Sequence, residues 1–298
     1  MDIVMSGASG WIGTAAVRYL QERGHRVRRL VRTRETGEDE IAWDPAQGHL
    51  EPSRLEGCDA LICLSGESID QRWNAKAKER IRNSRVDTLS LLANTVCKLN
   101  RPPKVLISAS AIGYYGTSSG DAPCTEEASP GQDFLARICA EWEEAARPVE
   151  KIGVRTVQLR FGVVLAPDGG ALRRMLLPFK LGLGGPIGNG KQIMSWLTLD
   201  EAVHIIEFAM IHSQLKGPVN AVSPNPVSNR QFAKALGRVL HRPAFLPLPA
   251  PLIRLIFGEM GDALLLSGVR VVPAKLLEAG YLFRDPELSS SFHRLLSK

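Results

Sequence analysis

A glycine-rich turn near the start of the chain restricts the possible folds more than any other feature of the sequence. The apolar residues 3–5 lead into this turn, and apolar residues at helical spacing follow it. A strand, a glycine turn and an amphipathic helix in this order are the context of a dinucleotide-binding fingerprint. Gly7 permits a tight turn, Gly10 lets a pyrophosphate approach the backbone, and Gly13 lets the helix pack close to the sheet.

The N-terminus of the helix after this turn is suited to an anion. Its first N–H groups have no acceptor within the helix, and the helix dipole places a partial positive charge there. We therefore predict that a dinucleotide binds at the turn; an ordinary glycine-rich connection is the alternative. The predicted cofactor contacts in this segment are Gly7, Ser9, Gly10, Trp11, Ile12 and Gly13.

Strand and helix patterns alternate through the first half of the chain. Continuous apolar runs such as 61–64 and 105–107 are typical of parallel strands that are covered on both faces. The alternation predicts an α/β fold with a doubly wound parallel Rossmann sheet. The predicted strands are 2–6, 26–31, 60–64, 104–108 and 155–161, and the predicted helices are 11–23, 75–99 and 133–151.

The character of the sequence changes after Phe161, where glycine becomes dense. A helix at 199–213 and a strand at 218–222 are expected to return to the sheet. The organisation that this implies is a Rossmann domain and a smaller, mainly helical substrate domain. We predict residues 1–162 plus 196–222 for the Rossmann domain and residues 163–195 plus 223–298 for the substrate domain.

Composition and charge exclude several classes of protein. The net charge of +6 and the pI near 9.2 are compatible with nucleic acid binding, but aromatic residues are not interleaved with the basic ones, so we predict no nucleic acid partner. No apolar run is long enough for a transmembrane helix, and we predict no membrane partner. The five cysteines lack the Cys/His spacing of a metal site, which predicts free thiols, no metal and a reducing cytoplasmic location. The oligomeric state stays open.

The end of the second predicted strand indicates which nicotinamide cofactor the chain prefers. In NAD-binding folds an acidic residue at this point binds the ribose 2′-hydroxyl. Arg32 occupies the tip here, where a guanidinium can pair with a 2′-phosphate that a carboxylate would repel. Arg32 therefore predicts NADP(H) as the cofactor, and a solvent-exposed arginine at a strand end is the alternative.

Further motifs follow the glycine turn over nearly the whole chain. They are Leu64-Ser65-Gly66-Glu67, Arg72-Trp73-Asn74, Ser84-Arg85, residues 110–116 (SAIGYYG), Leu159-Arg160-Phe161-Gly162, residues 178–188 and residues 195–200. Together they resemble the extended short-chain dehydrogenase/reductases, in particular the atypical nucleoside-diphosphate-sugar-epimerase-like subfamily. The resemblance implies an NADP(H)-binding oxidoreductase or epimerase-like enzyme with a small polar, sugar-derived substrate. The further cofactor contacts that it implies are Leu64, Ser65, Gly66, Arg85, Ser108 and Arg160.

The catalytic pair of this superfamily is missing from the expected helix. Typical members use a Tyr-x-x-x-Lys pair, in which the lysine lowers the pKa of the tyrosine and the tyrosine transfers a proton. Phe134 and Ile138 stand at the two positions here. Phenylalanine has no ionisable group and isoleucine cannot bind a ribose, so the usual mechanism is not available on this helix.

Three interpretations of the chemistry follow from this replacement. In the first, the acid/base has moved to Ser110 or Tyr115, which are expected on the loop beside the nicotinamide site together with Tyr114; for Tyr115 a structural ring is the alternative. In the second, the chain binds NADP(H) without turnover and is a regulatory or redox-sensing protein. In the third, a substrate group or water transfers the proton. The sequence does not choose among them.

Overall fold

A parallel sheet of seven strands lies at the centre of the computed structural model, which describes residues 1–32, 35, 37–117 and 122–297. The strands of the chain are β1 (Asp2–Ser6), β2 (Arg26–Val31), β3 (Glu40–Ala42), β4 (Ala60–Cys63), β5 (Val105–Ala111), β6 (Arg155–Phe161), β7 (Val163–Ala166), β8 (Ile193–Met194), β9 (Trp196–Thr198), β10 (Gly217–Ala221) and β11 (Val227–Ser228). The central sheet has the order β10-β6-β5-β4-β1-β2-β3. The order reverses between β1 and β4, and a crevice at the carboxyl ends of these two strands is where such sheets bind ligands.

Helices cover both faces of the sheet. They are α1 (Trp11–Glu22), α2 (Ala75–Val96), α3 (Phe134–Glu144), α4 (Arg147–Lys151), α5 (Gly170–Lys180), α6 (Leu199–Ile211), α7 (Asn229–Val239), α8 (Ala250–Phe257), α9 (Glu259–Gly261), α10 (Ala274–Glu278) and α11 (Leu288–Leu296), with single helical turns at Pro52–Arg54, Ile112–Tyr115 and Asp262–Leu266. Alternate residues of each strand enter different cores: Ile3 and Met5 pack with α1 and α6, whereas Val4 packs with α2, α3 and α4. The predicted α/β fold with a doubly wound Rossmann sheet is confirmed.

The C-terminal half contains a second core with two small sheets. Strand β7 pairs in parallel with β9, and β8 pairs antiparallel with β11. The second core joins α5, α7 and α11 through buried residues such as Phe179, Phe232 and Phe292. The side chain of Ser228 and that of Gln231 form a capping box at the start of α7. We retain the division into 1–162 plus 196–222 and 163–195 plus 223–298 as a proposal, although the pairing of β7 with β9 and the packing of Trp196 in the second core cross its boundaries.

The sequence-based boundaries differ from the structure in three informative places. The helix predicted at 133–151 is wrong as one element, because Pro148 lacks an N–H and can begin α4 but cannot continue α3. The strand predicted at 104–108 extends to Ala111, since its last residues pair with β6. The pattern also missed β3, which has only three residues. Ser110 therefore lies in a strand of the sheet and not in a loop.

Within the residues that the structure describes, no helix combines the length and the apolar character needed to cross a bilayer.

Candidate functional site

The glycine turn after β1 packs directly against the turn after β4. Gly7 has a φ of +71°, and a Cβ atom there would lie 2.5 Å from the carbonyl carbon of Leu64 and 2.7 Å from the nitrogen of Ser65. Only glycine combines that backbone conformation with so close an approach. A Cβ on Gly13 would lie 2.0 Å from the carbonyl oxygen of Gly7. These two glycines therefore bring the start of α1 to the crevice between β1 and β4.

The start of α1 is left open towards the crevice. Gly10 is the N-cap residue, no side chain caps the helix, and the first turn contains no acidic residue. Ser9 and Gly10 are exposed, and Trp11 and Ile12 are half-buried. A Cβ on Gly10 would meet only the carbonyl oxygen of Gly7, at 3.2 Å. The first-turn N–H groups are thus accessible to an anion, and this cradle fits a pyrophosphate.

Trp11 connects the start of α1 with the C-terminal half of the chain. Its indole ring lies so close to a turn that a Cβ on Gly169 would be 2.2 Å from the ring, and its Nε1 atom donates a hydrogen bond to Asp168 at 3.4 Å. A Cβ on Gly170 would also contact the ring, at 3.0 Å. No role was predicted for these two glycines. The sequence feature that could have indicated this contact is the pair of consecutive glycines, because a backbone without Cβ atoms lets a large ring pack directly against it.

The Ser84-Arg85 pair of α2 holds the turn that follows β4. The hydroxyl of Ser84 accepts a hydrogen bond from the N–H of Glu67 at 2.9 Å, and Arg85 donates one to the carbonyl oxygen of Glu67 at 2.9 Å. A Cβ on Gly66 would be only 3.2 Å from the guanidinium carbon of Arg85. Burial lowers the pKa of Arg85 below its usual range. Arg85 therefore stabilises the turn of Leu64, Ser65 and Gly66; whether it also contacts a cofactor stays a prediction.

Arg32 is exposed at the carboxyl end of β2. Among the described residues it forms no ion pair and no side-chain hydrogen bond. The nearest carboxylate that follows in the described chain, Glu35, accepts hydrogen bonds from the N–H of Ala42 at 2.8 Å and from Arg54 at 2.9 Å. These bonds hold the pKa of Glu35 below its usual range. The carboxylate is thus engaged with β3 and Arg54, and the guanidinium of Arg32 is free to bind an anion.

A buried ion pair lies below the carboxyl ends of β5 and β6. Arg160 of β6 donates two hydrogen bonds to Glu143 of α3, from Nε at 2.8 Å and from Nη2 at 2.7 Å. Ser110 of β5 donates a third to the same carboxylate at 2.6 Å. Although burial disfavours its charge, Glu143 raises the pKa of Arg160 above its usual range. Both Arg160 and Ser110 are buried, with 1% and 3% exposure.

Tyr115 belongs to the same buried network. Its hydroxyl donates a hydrogen bond to Asn220 of β10 at 2.6 Å and accepts one from Arg160 at 2.9 Å. Burial raises the pKa of Tyr115 to about 12, against the opposing effect of Arg160. The phenol hydroxyl thus has both a hydrogen-bond acceptor and a donor within the protein. This favours a structural role for the ring over a catalytic one. The assignment of Ser110 and Tyr115 to catalysis stays an untested prediction.

Tyr114 differs from its neighbour in both burial and bonding. Its ring stacks on the guanidinium of Arg160, whose central carbon is 3.4 Å from the ring centre, and it meets Tyr115 edge to face. The ring is half-buried, and within the described part of the chain its hydroxyl has no hydrogen-bond partner. Tyr114 is therefore the phenol of this segment whose hydroxyl is free for a ligand.

Comparisons with known proteins agree with this arrangement. A model of the NAD dependent epimerase/dehydratase family matches residues 3–222, so it includes the glycine turn and all strands of the central sheet. The chain belongs to this family. A second model, a domain of unknown function (DUF1731), matches residues 248–295 of the epimerase-family chain.

Individual relatives extend over nearly the whole of this epimerase-family chain. Epimerase family protein Mb2239 of Mycobacterium bovis is 41% identical over 282 residues, which cover 94% of this chain and 93% of that protein. The crystal structure of human epimerase family protein SDR39U1 (isoform 2) with NADPH superposes with a TM-score of 0.89 at 35% identity and covers 99% of each chain. A nucleoside-diphosphate sugar epimerase from Corynebacterium glutamicum gives a TM-score of 0.82 at 33% identity, with 99% of this chain and 58% of that chain covered. The predicted resemblance to atypical extended short-chain dehydrogenase/reductases is confirmed.

In this epimerase-family member, apolar packing occupies the positions of the usual catalytic pair. Phe134 meets Trp73 edge to face, with ring centres 5.1 Å apart. Ile138 is 4% exposed and packs in the same cluster with Trp73, Ile81 and Met260. The face of α3 that carries a tyrosine and a lysine in typical members is therefore a packing surface here.

Two further results concern residues that were predicted or missed. Ser108, which the resemblance implied as a cofactor contact, lies inside the sheet opposite Cys63 and is 1% exposed. Glu143 and Asn220 were missed, although they complete the network around Arg160. One of three glutamates in an amphipathic helix and an asparagine in a strand give no signal in one sequence, because their partners are distant in the chain.

Proposed function

We propose that the crevice between β1 and β4 binds NADP(H), with the pyrophosphate at the start of α1 and the 2′-phosphate at Arg32. The observation that carries this proposal is the guanidinium of Arg32, which forms no ion pair with a described residue, together with the engagement of Glu35 by Ala42 and Arg54. A ribose diol needs an acceptor carboxylate at this point, whereas a 2′-phosphate needs a cation. The NADPH in the crystal structure of the human relative supports the same choice.

The fit of the crevice to the cofactor rests on the chain's own atoms. Gly10 leaves space above the first helical turn, and no acidic residue of that turn would repel a phosphate. We propose cofactor contacts at Gly7, Ser9, Gly10, Trp11, Ile12, Gly13, Arg32, Leu64, Ser65 and Gly66. For Arg85, Ser108 and Arg160 we propose an indirect role: they stabilise the turns and strands beside the cofactor. Their polar groups are bonded or buried within the protein and are not available for direct contact.

The proposed activity is that of an oxidoreductase or epimerase-like enzyme acting on a small polar, sugar-derived substrate. Bound NADP(H) supplies hydride transfer, and the chain has to supply binding, orientation and proton transfer. The hydroxyl of Tyr114, in the segment beside the carboxyl end of β5, has no hydrogen-bond partner among the residues that the structure describes, whereas the hydroxyl of Tyr115 bonds to both Asn220 and Arg160. We propose Tyr114 as the proton carrier, and Ser110 and Tyr115 as residues that hold the segment. The nucleoside-diphosphate sugar epimerase among the relatives supports the substrate class.

A second candidate function is an NADP(H)-binding regulator without turnover. The packing of Phe134 and Ile138 into an apolar cluster favours it, because no ionisable group stands where the superfamily has its acid/base pair. The two candidates share the cofactor and differ only in proton transfer, so they separate in an activity assay and not in a binding assay.

The cofactor assignment is tested by titrating the purified protein with NADPH and NADH while following nucleotide fluorescence. Wild type is expected to prefer NADPH. Arg32→Ala should weaken NADPH binding by about 1.5–3 kcal/mol, the range for hydrogen bonds to charged groups, and barely change NADH binding. Arg32→Asp should reverse the preference. Lys98→Ala, which removes an exposed cation far from the crevice, is the matched control. Equal affinities of wild type for the two nucleotides would refute the assignment.

The activity assignment is tested by a screen of carbonyl compounds and nucleotide sugars for NADPH oxidation or sugar interconversion. Tyr114→Phe should abolish turnover with unchanged NADPH affinity, whereas Tyr115→Phe should lower thermal stability and keep turnover. If no substrate turns over while NADPH binds, the regulator is favoured. If Tyr114→Phe keeps full activity, Tyr114 is not the proton carrier, and the proton comes from Ser110, Tyr115, the substrate or water.

A further inference from the structure

Large apolar side chains are exposed on three neighbouring segments of the C-terminal half. These segments are the loop after α5, the proline-rich segment 243–249 and α8, which follows it directly. Monomeric globular proteins rarely expose so many neighbouring apolar residues, and patches of this kind mark interaction sites. We call this region the apolar surface. Its main members, all more than 40% exposed, are Leu181, Leu183, Phe245, Leu252, Leu255 and Ile256.

Backbone hydrogen bonds hold the loop after α5 beside the proline-rich segment. The N–H of Leu246 bonds to the carbonyl oxygen of Gly184 at 3.3 Å, and the N–H of Leu248 bonds to that of Pro186 at 2.9 Å. Helix α8 begins two residues after Leu248, at Ala250. The exposed residues of the three segments therefore belong to one region of the molecular surface.

Helix α8 buries one side and exposes the other. Ile253 is fully buried, and a Cβ on Gly261 would lie only 2.8 Å from its side chain. Leu252, Leu255 and Ile256 have the i, i+3, i+4 spacing that places side chains on one face of a helix, and all three are exposed. The helix is thus fixed to the fold by Ile253 and presents an apolar face outwards.

Basic residues border the apolar surface. The last turn of α7, which carries Arg238, packs on the proline-rich segment so closely that a Cβ on Gly237 would lie 2.7 Å from the Cβ of Ala244. At the next edge, the Nε atom of Arg242 donates a hydrogen bond to the carbonyl oxygen of Lys180 at 2.9 Å. Within the described part of the chain, Lys180, Arg238 and Arg242 form no ion pair with a carboxylate. These three cations are therefore available to an anionic partner.

The charge of the region determines which kind of partner fits. The sequence from residue 208 to residue 258 contains no Asp or Glu, so no acid compensates the bases at the border. A complementary partner has to be negative where it meets them. A second copy of the chain is disfavoured, because a two-fold contact would bring the same bases of both copies together.

The proline-rich segment and α8 contain almost no polar side chains. Arg254 is the only polar residue in the sequence 243–257, and it pairs with Asp262 at 2.8 Å. Protein interfaces carry about one hydrogen bond per 100–200 Å², and this stretch has little with which to form them. Four of its residues are prolines, which have no N–H to hydrate. Because lipid accepts no hydrogen bonds from the backbone, this composition suits a bilayer better than a folded protein.

We propose that the apolar surface binds the face of a membrane that contains anionic phospholipids. The exposed leucines and Phe245 enter the boundary between headgroups and acyl chains, and Lys180, Arg238 and Arg242 contact the headgroup phosphates. The sequence-based prediction of no membrane partner rested on the lack of a transmembrane run, which a chain that lies on the surface does not need. This binding is independent of the cofactor proposed for the crevice.

The test is sedimentation of the full chain with vesicles of phosphatidylcholine alone or of equal parts of phosphatidylcholine and phosphatidylglycerol. Binding to the mixed vesicles should be about tenfold tighter or more, because several cations act together on the headgroups. A higher ionic strength should reduce this preference. No binding to either vesicle would overturn the proposal, and equal binding to both would exclude the role of the bases.

Paired substitutions test the apolar part of the surface. Leu255→Gln/Ile256→Gln should weaken binding to the mixed vesicles about tenfold or more, since both side chains would be buried in lipid. Leu277→Gln/Leu282→Gln is the matched control, because these residues are 51% and 87% exposed in and after α10, against 74% and 51% for Leu255 and Ile256. The control should bind within about twofold of wild type. Equal losses in the two pairs would overturn the proposal.

A second set of variants tests the charges. Lys180→Gln/Arg238→Gln should lose most of the preference for phosphatidylglycerol. Lys98→Gln/Lys151→Gln makes the same change in net charge at exposed sites elsewhere and should keep the preference. NADPH affinity should be unchanged in all these variants, so a failure of the cofactor proposal or a loss of the fold is seen separately.

Two further measurements locate the contact and identify other partners. Amide hydrogen exchange should become slower in residues 245–256 when mixed vesicles are added and should stay unchanged in α10. A dimer in analytical ultracentrifugation that Leu255→Gln/Ile256→Gln dissociates, without vesicle binding, would assign the surface to a second copy. Binding of poly-glutamate without vesicle binding would assign it to an acidic protein.

Discussion

The buried ion pair between Arg160 and Glu143 is expected to contribute strongly to the stability of the fold at the carboxyl ends of β5 and β6. Glu143→Ala would leave the Arg160 guanidinium, whose side chain is 2% exposed, without the carboxylate that accepts its hydrogen bonds at 2.7 and 2.8 Å. Removing one partner of such a pair typically costs about 3–5 kcal/mol, because the remaining charge is buried without compensation. The same substitution removes the acceptor of Ser110. We expect the free energy of unfolding to fall by this amount and the melting temperature by about 10 °C.

The assay is urea unfolding followed by circular dichroism, with two matched variants. Glu141→Ala on the same helix breaks an exposed pair with Arg82, whose side chains are 46% and 44% exposed, and should cost about 0–1 kcal/mol. The double variant Glu143→Leu/Arg160→Met removes both charges and should be more stable than Glu143→Ala, since apolar replacements of buried pairs are often tolerated. If Glu143→Ala loses no more stability than Glu141→Ala, the pair between Arg160 and Glu143 is not buried in solution, which would refute the predicted cost.

Three further predictions concern the crevice, the α3 face and the thiols. Gly13→Ala should fail to fold, because its Cβ would lie 2.0 Å from a carbonyl oxygen, whereas Gly10→Ala should fold and lose NADPH affinity. Thermal melts and NADPH titrations distinguish the two variants. A stable Gly13→Ala would contradict the close packing. Ile138→Lys should destabilise the chain by several kcal/mol because it buries an unpaired ammonium, while Ile138→Leu should cost less than about 1.5 kcal/mol in urea unfolding. Iodoacetamide at neutral pH should label the exposed Cys97 and not Cys139, because burial raises the pKa of Cys139 to about 12. Mass spectrometry of the labelled protein identifies the modified cysteines. Rapid labelling of Cys139 would contradict the prediction.

The features that the sequence predicted well are those encoded within a few consecutive residues. The turn at Gly7 and Gly10 needs particular residues at particular spacings, and the strand before it and the helix after it are local patterns. The position of Arg32 at the end of β2 followed in the same way, while its contact with a cofactor stays a prediction. The fold class followed from the alternation of such local patterns.

The features that the sequence could not predict depend on pairs that are distant in the chain. Ser110 and Glu143 are separated by a loop and a helix, and Tyr115 and Asn220 meet only because β5, β6 and β10 align in register. Residue type alone could not show that these groups saturate one another. The sequence therefore identified Tyr115 as a possible acid without showing that its proton is already bound within the protein.

The interior of the network and the apolar face of α3 together restrict where proton transfer can occur. Phe134 and Ile138 pack under the C-terminal region through Met260, so an ionisable pair there would disrupt the contact between the two halves of the molecule. Tyr115 cannot donate its proton without breaking its bond to Asn220. Tyr114 stacks on the same Arg160 guanidinium that Glu143 neutralises, and its hydroxyl stays free among the described residues. We therefore propose Tyr114 as the source of a proton that comes from this segment of the chain, and turnover in Tyr114→Phe would show that another group supplies it.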